Sequence, residues 1–188
     1  VTAEIERKLV ARGFVEPFYV QSLVLPEAIR GRDILAKSPT GSGKTLAFGV
    51  PIVERLSEDG NRPEALVLVP TRELALQVAE EIGSFSSAKN LKVALAYGGT
   101  PVHAQAKRLK GAHIVVATPG RLQDLLERRL VSLDGIRILV LDEADRMLDM
   151  GFQPQVDRIM RRIPAERQTM LFSATLDGEV GELAQQYT

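Results

Sequence analysis

Apolar positions gather into six short runs, at 34–36, 65–69, 92–97, 112–117, 136–141 and 169–172. These runs are nearly continuous rather than alternating, as a strand covered on both faces requires. Between them the apolar residues recur at helical spacing. Leu74, Val78 and Ile82 share one helical face, as do Leu46, Val53 and Leu56. The spacing predicts helices over about 3–12, 23–29, 46–56, 72–85, 102–110, 119–129, 152–163 and 178–187. Gly13 and Gly31 are read as stops of the first two, and Pro26 as a residue that shifts or kinks the second. Thr118 and Pro119 supply an N-cap and a first-turn proline. Residues 57–63 read as a polar loop. Strands alternating with helices predict an α/β domain with a doubly wound, mostly parallel sheet and helices on both faces. Ligands of such sheets sit beyond the carboxyl ends of the strands.

The unusual residues fall at those ends. The first strand runs into Ser38-Pro39-Thr40-Gly41-Ser42-Gly43-Lys44-Thr45, and a helix runs out of it. Strand, glycine-bearing loop, Lys-Thr and helix is an arrangement that holds polyphosphate. The glycines let N–H groups turn inward, and the helix start adds free N–H groups and partial positive charge. Thr40, Gly41, Ser42 and Gly43 form the cradle. Lys44 would reach the β- and γ-phosphates, and Thr45 would ligate Mg²⁺. The strict pattern has glycine where Ser38 stands, and a glycine-rich surface turn is the plainer alternative.

The run at 136–141 ends in Asp142-Glu143. Beside a phosphate loop, Asp142 would hold Mg²⁺, and Glu143 would orient and deprotonate a water, which makes hydrolysis the natural reaction. By themselves such residues are common surface carboxylates. Thr71-Arg72 and Thr118-Pro119-Gly120-Arg121 each place a threonine at a strand-to-helix turn. Those residues suit a phosphate backbone, and they equally suit plain helix capping. Gly98-Gly99 permits close backbone approach or simply a turn. Ser173 and Thr175 follow the sixth run, positioned to bond the carboxylates of 142–145 or to cap the last helix.

The 188 residues suffice for one domain with a sizeable core. Lys plus Arg and Asp plus Glu are both 24, so bulk charge neither announces nor excludes a nucleic-acid partner. Cysteine is absent, which removes disulfides and thiol chemistry. His103 and His113 are isolated and suggest no metal site, and the four methionines read as packing residues. Neither a membrane span nor a signal peptide is visible, so the cytoplasm is the expected compartment.

Taken together and in this order, these segments resemble the DEAD-box ATP-dependent RNA helicases, with Asp142-Glu143-Ala144-Asp145 the naming element. The likeness runs from Gly13 to Thr175. It implies the first of two RecA-like domains, occupying residues 1–188, with ATP, Mg²⁺ and RNA as ligands. Catalysis falls to Lys44, Asp142 and Glu143, and metal binding to Thr45 and Asp142. Gln21 would read the adenine edge. Asp145 would bond the hydroxyl of Ser173 or Thr175, linking nucleotide state to RNA state. Thr71, Arg72, Gly99, Thr118, Gly120 and Arg121 would grip the backbone of one RNA strand without reading sequence. The family also accepts a small residue at the position of Ser38.

Three departures accompany the likeness. Phe18-Tyr19 stand where the family has Ser or Thr followed by Pro, so its hydroxyl contact to the phosphate loop is in question, with Tyr19 as a substitute donor. An aromatic adenine platform would precede Val1. The second domain, with its arginine finger, is not in these residues, so the chain alone is expected to hydrolyse ATP negligibly. A DNA translocase and a non-catalytic RNA clamp are the competing classes. Asp145 and Gln21 favour the RNA helicases over the first, and Glu143 argues against the second.

Overall fold

The computed structural model describes residues 1–59 and 63–188. Residues 60–62 of the expected polar loop lie outside the described residues. Six strands form one parallel sheet: β1 (Ile34–Lys37), β2 (Ala65–Leu68), β3 (Val93–Ala96), β4 (Ile114–Ala117), β5 (Ile138–Asp142) and β6 (Gln168–Ser173), in the order β1-β6-β5-β2-β4-β3. Continuous burial holds for β2, β4, β5 and β6. At the two edges it fails, because the helical layers do not fully cover the faces of the edge strands. Leu35 and Lys37 of β1 are exposed, and β3 is mostly half-buried.

Helices α1 (Ala3–Ala11), α2 (Tyr19–Ile29), α3 (Lys44–Arg55) and α4 (Arg72–Ser86) cover one face. Helices α5 (Val102–Leu109), α6 (Pro119–Glu127), α7 (Ala144–Asp149), α8 (Gln153–Met160) and α9 (Glu179–Tyr187) cover the other. Alternate residues of each strand feed the two cores: Ala65 and Val67 face α3 and α4, while Leu66 and Leu68 face α5 to α9. The crossovers reverse direction after β3, which moves the covering helices from one face to the other.

The helices depart from the spacing most at α2 and α7, and α8 ends at Met160, three residues early. Helix α2 begins at Tyr19, four residues before the predicted start, and continues through Pro26. That proline leaves the Ser22 carbonyl without a helical partner, which is tolerated because Ser22 is exposed to water. Helix α7, immediately after Asp142-Glu143, was not anticipated, because six residues are too few to display a period. A 3-10 turn at Ser87–Lys89 also extends α4.

His113 is buried. Its Nδ1 accepts the Lys92 N–H at 3.0 Å, so Nε2 carries the proton and donates to Glu58 O at 3.1 Å. It is a neutral packed histidine, and His103 is exposed. Met147, Met160 and Met170 are buried in the cores, and Met150 is exposed. Among the described residues no helix is long and apolar enough to cross a membrane.

The α3 core is anchored by Phe48, whose ring lies 5.3 Å from that of Phe172 and is fully buried. Phe48→Ala is expected to cost about 3–5 kcal/mol. In calorimetry this lowers Tm by roughly 6–20 °C for a domain of this size. A loss under 3 °C would mean that the core collapses onto the cavity.

Candidate functional site

All six strands end on one edge of the sheet, and the singled-out residues lie along it in two groups. Those on β1, β6 and β5 form one half. Those following β2, β4 and β3 form the other.

In the first half, the loop from β1 to α3 turns on Gly41 and Gly43, with φ of 82° and 81°. Gly43 is also sterically required, because a Cβ there would meet the Phe18 ring and would lie 2.7 Å from Gln21 Nε2. Ser38 needs no glycine: it is buried, its φ is not positive, and its hydroxyl pairs with that of Ser42. Its N–H donates to Ser173 O at 2.8 Å, tying the loop to β6.

Lys44, at the first turn of α3, is 6% exposed. Its Nζ lies 3.0 Å from Asp142 Oδ1 and 3.6 Å from Glu143 Oε1. Asp142 is fully buried, and burial pushes its carboxyl up to about 6, with the Lys44 ammonium opposing. Although Lys44 is close enough for an ion pair, neither Asp142 oxygen has a hydrogen bond of good geometry. A buried carboxylate with unfilled acceptor capacity fits a hydrated Mg²⁺. Among the described residues no group of three His, Cys, Asp or Glu could hold a metal. Mg²⁺ takes few protein ligands and completes its shell with water and phosphate oxygens.

Glu143 occupies the left-handed region, φ 54°, as N-cap of α7. This placement is unusual for a side chain bearing Cβ and costs about 1 kcal/mol or more. It is held there by Thr40 Oγ1, which donates to Oε1 at 3.4 Å, and by Arg146, 3.4 Å from Oε2. Arg146 was missed in the sequence, where an arginine three residues after a glutamate carries no special signal. Glu81 of α4 was missed too. Burial pushes its carboxyl up, opposed by Arg12 and by a hydrogen bond with Thr45.

The contact between β6 and the 142–145 turn runs differently from expectation. Ser173 Oγ accepts the backbone N–H of Asp145 at 3.2 Å rather than bonding its carboxylate, and Thr175 is exposed. Gln21 is buried beside the phosphate loop. Its Oε1 accepts the Phe18 N–H and its Nε2 donates to Gly43 O, both at 2.9 Å. One amide hydrogen and one lone pair remain. Tyr19 is 81% exposed, and among the described residues its hydroxyl makes no hydrogen bond with the loop, so the substitute hydroxyl is not supplied. Phe18 meets Gly43 with its ring instead.

In the second half, Thr71 caps α4 by accepting the Leu74 N–H at 3.2 Å. Arg72 is exposed and lies 4.7 Å over the Tyr97 ring. Gly99 has φ 88°, and Gly120 is exposed in the first turn of α6. Thr118 precedes α6 as its N-cap without a side-chain capping bond, leaving its hydroxyl available. Arg121 is half-buried, and its Nη1 donates to Thr100 O and Gln105 Oε1, each at 2.9 Å.

A buried lysine at a glycine-built loop, an Asp-Glu turn and hydroxyl-bearing strand ends on one edge of a parallel sheet make a phosphate-loop α/β domain. The family comparisons agree: residues 18–183 match the DEAD/DEAH box helicase model, and the chain belongs to that family. It is 46% identical over its whole length to the ATP-dependent RNA helicase DbpA of Bacillus subtilis, of which it covers 39%. It is 47% identical to DEAD-box ATP-dependent RNA helicase 52A of Oryza sativa, with 96% of this chain and 34% of the relative aligned. A DEAD box protein from Methanococcus jannaschii superposes with TM-score 0.96 at 41% identity, covering all of this chain and 52% of that one. The chain thus spans under two fifths of the curated relatives' length.

The raised pKa of Asp142 has a consequence for stability. The fold favours the protonated form, so the stability contributed by this group is whole below about pH 4 and is lost as pH rises through about 6. At pH 7.5, Asp142→Asn is expected to raise the Tm of the nucleotide-free chain by about 2–6 °C in calorimetry. A lowered Tm would show that attraction to Lys44 outweighs the burial.

Proposed function

We propose that residues 1–188 make a single RecA-like ATP-binding domain of an RNA helicase, working with a second such domain of the parent chain. It binds ATP with Mg²⁺ on one half of the sheet edge and the RNA sugar-phosphate backbone on the other. The observation that carries this reading is the convergence of Lys44, Asp142 and Glu143 within 3.6 Å at the mouth of a glycine-built loop.

The N–H groups of 40–45 cradle the phosphates, and Lys44 leaves its carboxylate partners to neutralise the β- and γ-oxygens. Thr45 and Asp142 would hold Mg²⁺, which would supply positive charge against the polyphosphate. Glu143 orients the attacking water and takes its proton as the oxygen bonds to γ-phosphorus and ADP leaves. Gln21 offers its remaining hydrogen and lone pair to the adenine edge, which selects ATP over GTP. Thr71, Arg72, Gly99, Thr118, Gly120 and Arg121 hold one RNA strand by its backbone, so binding is largely independent of sequence. Asp145, Ser173 and Thr175 couple the two halves. Closure of the second domain bends the strand and opens the duplex locally, and hydrolysis resets the pair. The cytoplasm is the compartment consistent with this activity.

Titration of the chain with ADP and GDP tests the nucleotide half. ADP is expected to bind about tenfold more tightly than GDP, and Gln21→Ala to remove the preference. Equal binding by the unmutated chain would sink the adenine assignment.

The catalytic assignment is tested on the parent protein, where both domains are present. There Glu143→Gln is expected to lower RNA-stimulated kcat by about 100-fold or more while nucleotide affinity stays within threefold. Undiminished turnover would remove Glu143 from the reaction.

A further inference from the structure

Two residues outside the motifs connect the second half of the edge. Gln105, in α5, is 5% exposed although it is polar. Its Nε2 donates to Tyr97 O at 3.0 Å and to Thr100 Oγ1 at 2.5 Å, and its Oε1 accepts from Arg121 at 2.9 Å. Arg121 in turn donates to Thr100 O. A single buried amide therefore holds the loop after β3 against the first turn of α6. Tyr97 completes the link, because its ring carries the Arg72 guanidinium at 4.7 Å. Through that stack the start of α4 joins the same assembly, and a Cβ at Gly99 would lie only 3.6 Å from Arg72 Nη1.

We infer that Gln105 and Tyr97 are positioning residues that set the three backbone-gripping loops, 71–72, 98–100 and 118–121, at fixed mutual spacing. The inference rests on the RNA reading given above and specifies how that surface is built. An RNA backbone presents phosphates at a regular repeat, so loops from three different strands grip it together only when their separations match that repeat. Just past the strand ends the main chain gives two bonds, from the Val69 N–H to Ala117 O at 3.0 Å and from the Thr118 N–H to Ala96 O at 2.9 Å. The spacing of the loop tips beyond them is set by side chains. Gln105 supplies three of the bonds, and a buried amide is suited to this because all its partners are fixed and water does not compete. Arg121 then has two roles, since the guanidinium nitrogens that are not engaged with Thr100 and Gln105 remain free for phosphate. Tyr97 acts through its ring face and not through its hydroxyl, so phenylalanine would serve as well.

The test is an NMR titration of the ¹⁵N-labelled chain with a single-stranded RNA nonamer, a readout that registers weak and local binding. In the unmutated chain the shifts are expected at the amides of Thr71, Gly99 and Gly120. Gln105→Leu, which keeps the volume, is expected to weaken RNA affinity about tenfold. ADP affinity, measured in parallel, stays within twofold. Tyr97→Phe is expected to bind as the unmutated chain does, and Tyr97→Leu about fivefold more weakly. Full RNA affinity in both Gln105→Leu and Tyr97→Leu would overturn the positioning role and leave the RNA reading standing. Equal losses of RNA and ADP affinity would assign both residues to general folding, which also overturns it. Shifts that fall outside these three loops, or none at saturating millimolar RNA, would overturn the RNA surface and the positioning role with it.

Discussion

Parallel strand direction is the constraint from which the rest follows. When every strand points the same way, every carboxyl end opens on one edge, and every strand-to-helix turn presents hydroxyls or free N–H groups there. Strand order then sorts these turns. With β6 and β5 beside β1, the phosphate loop, the Asp142-Glu143 turn and Ser173 are neighbours although more than 90 residues separate the first from the second. With β2, β4 and β3 on the far side, the threonine and glycine turns form their own group. Two groups of residues thus share one edge without sharing a strand.

The first group is built around a charge conflict. Asp142 and Lys44 are both buried, and burying charges is costly unless geometry and hydrogen bonding are good. Here the hydrogen bonding is incomplete, because the Asp142 oxygens keep unused capacity. The nucleotide-free chain therefore holds two groups whose needs are only partly met by each other. Glu143 adds an unfavourable backbone conformation. Such sites are less stable than an apolar repacking would be.

Much of this was legible in the sequence, for specific reasons. Continuous apolar runs marked the strands, and the glycine-lysine-threonine loop and the Asp-Glu strand end marked the side chains that converge, because those residue types are rare in combination. The left-handed Glu143 was not legible, since nothing in a sequence marks a glutamate for positive φ. Helix α7 was too short for periodicity. Arg146, Glu81, Gln105 and Tyr97 carry no mark in the sequence beyond ordinary helix, strand and loop residues, and only tertiary placement distinguishes them. The bond between Asp145 and Ser173 was foreseen as a pairing of side chains, yet the backbone N–H takes the hydroxyl. The orphan N–H groups at the start of α7 compete for that oxygen, which spacing alone does not weigh. The same competition appears at Thr71, whose hydroxyl caps α4.

Ser173 makes two bonds at once: its carbonyl takes the Ser38 N–H and its hydroxyl takes the Asp145 N–H. It sits on the middle strand of the three that build the nucleotide half, between two loops that have no strand in common. Mechanically it is a rigid coupling. If either loop slid by an ångström without the other, one of the two bonds would break. The loop of residues 38–45 and the turn that carries Asp142 and Glu143 are thereby tied to one residue of one strand, so displacing either strains a bond that Ser173 shares between them.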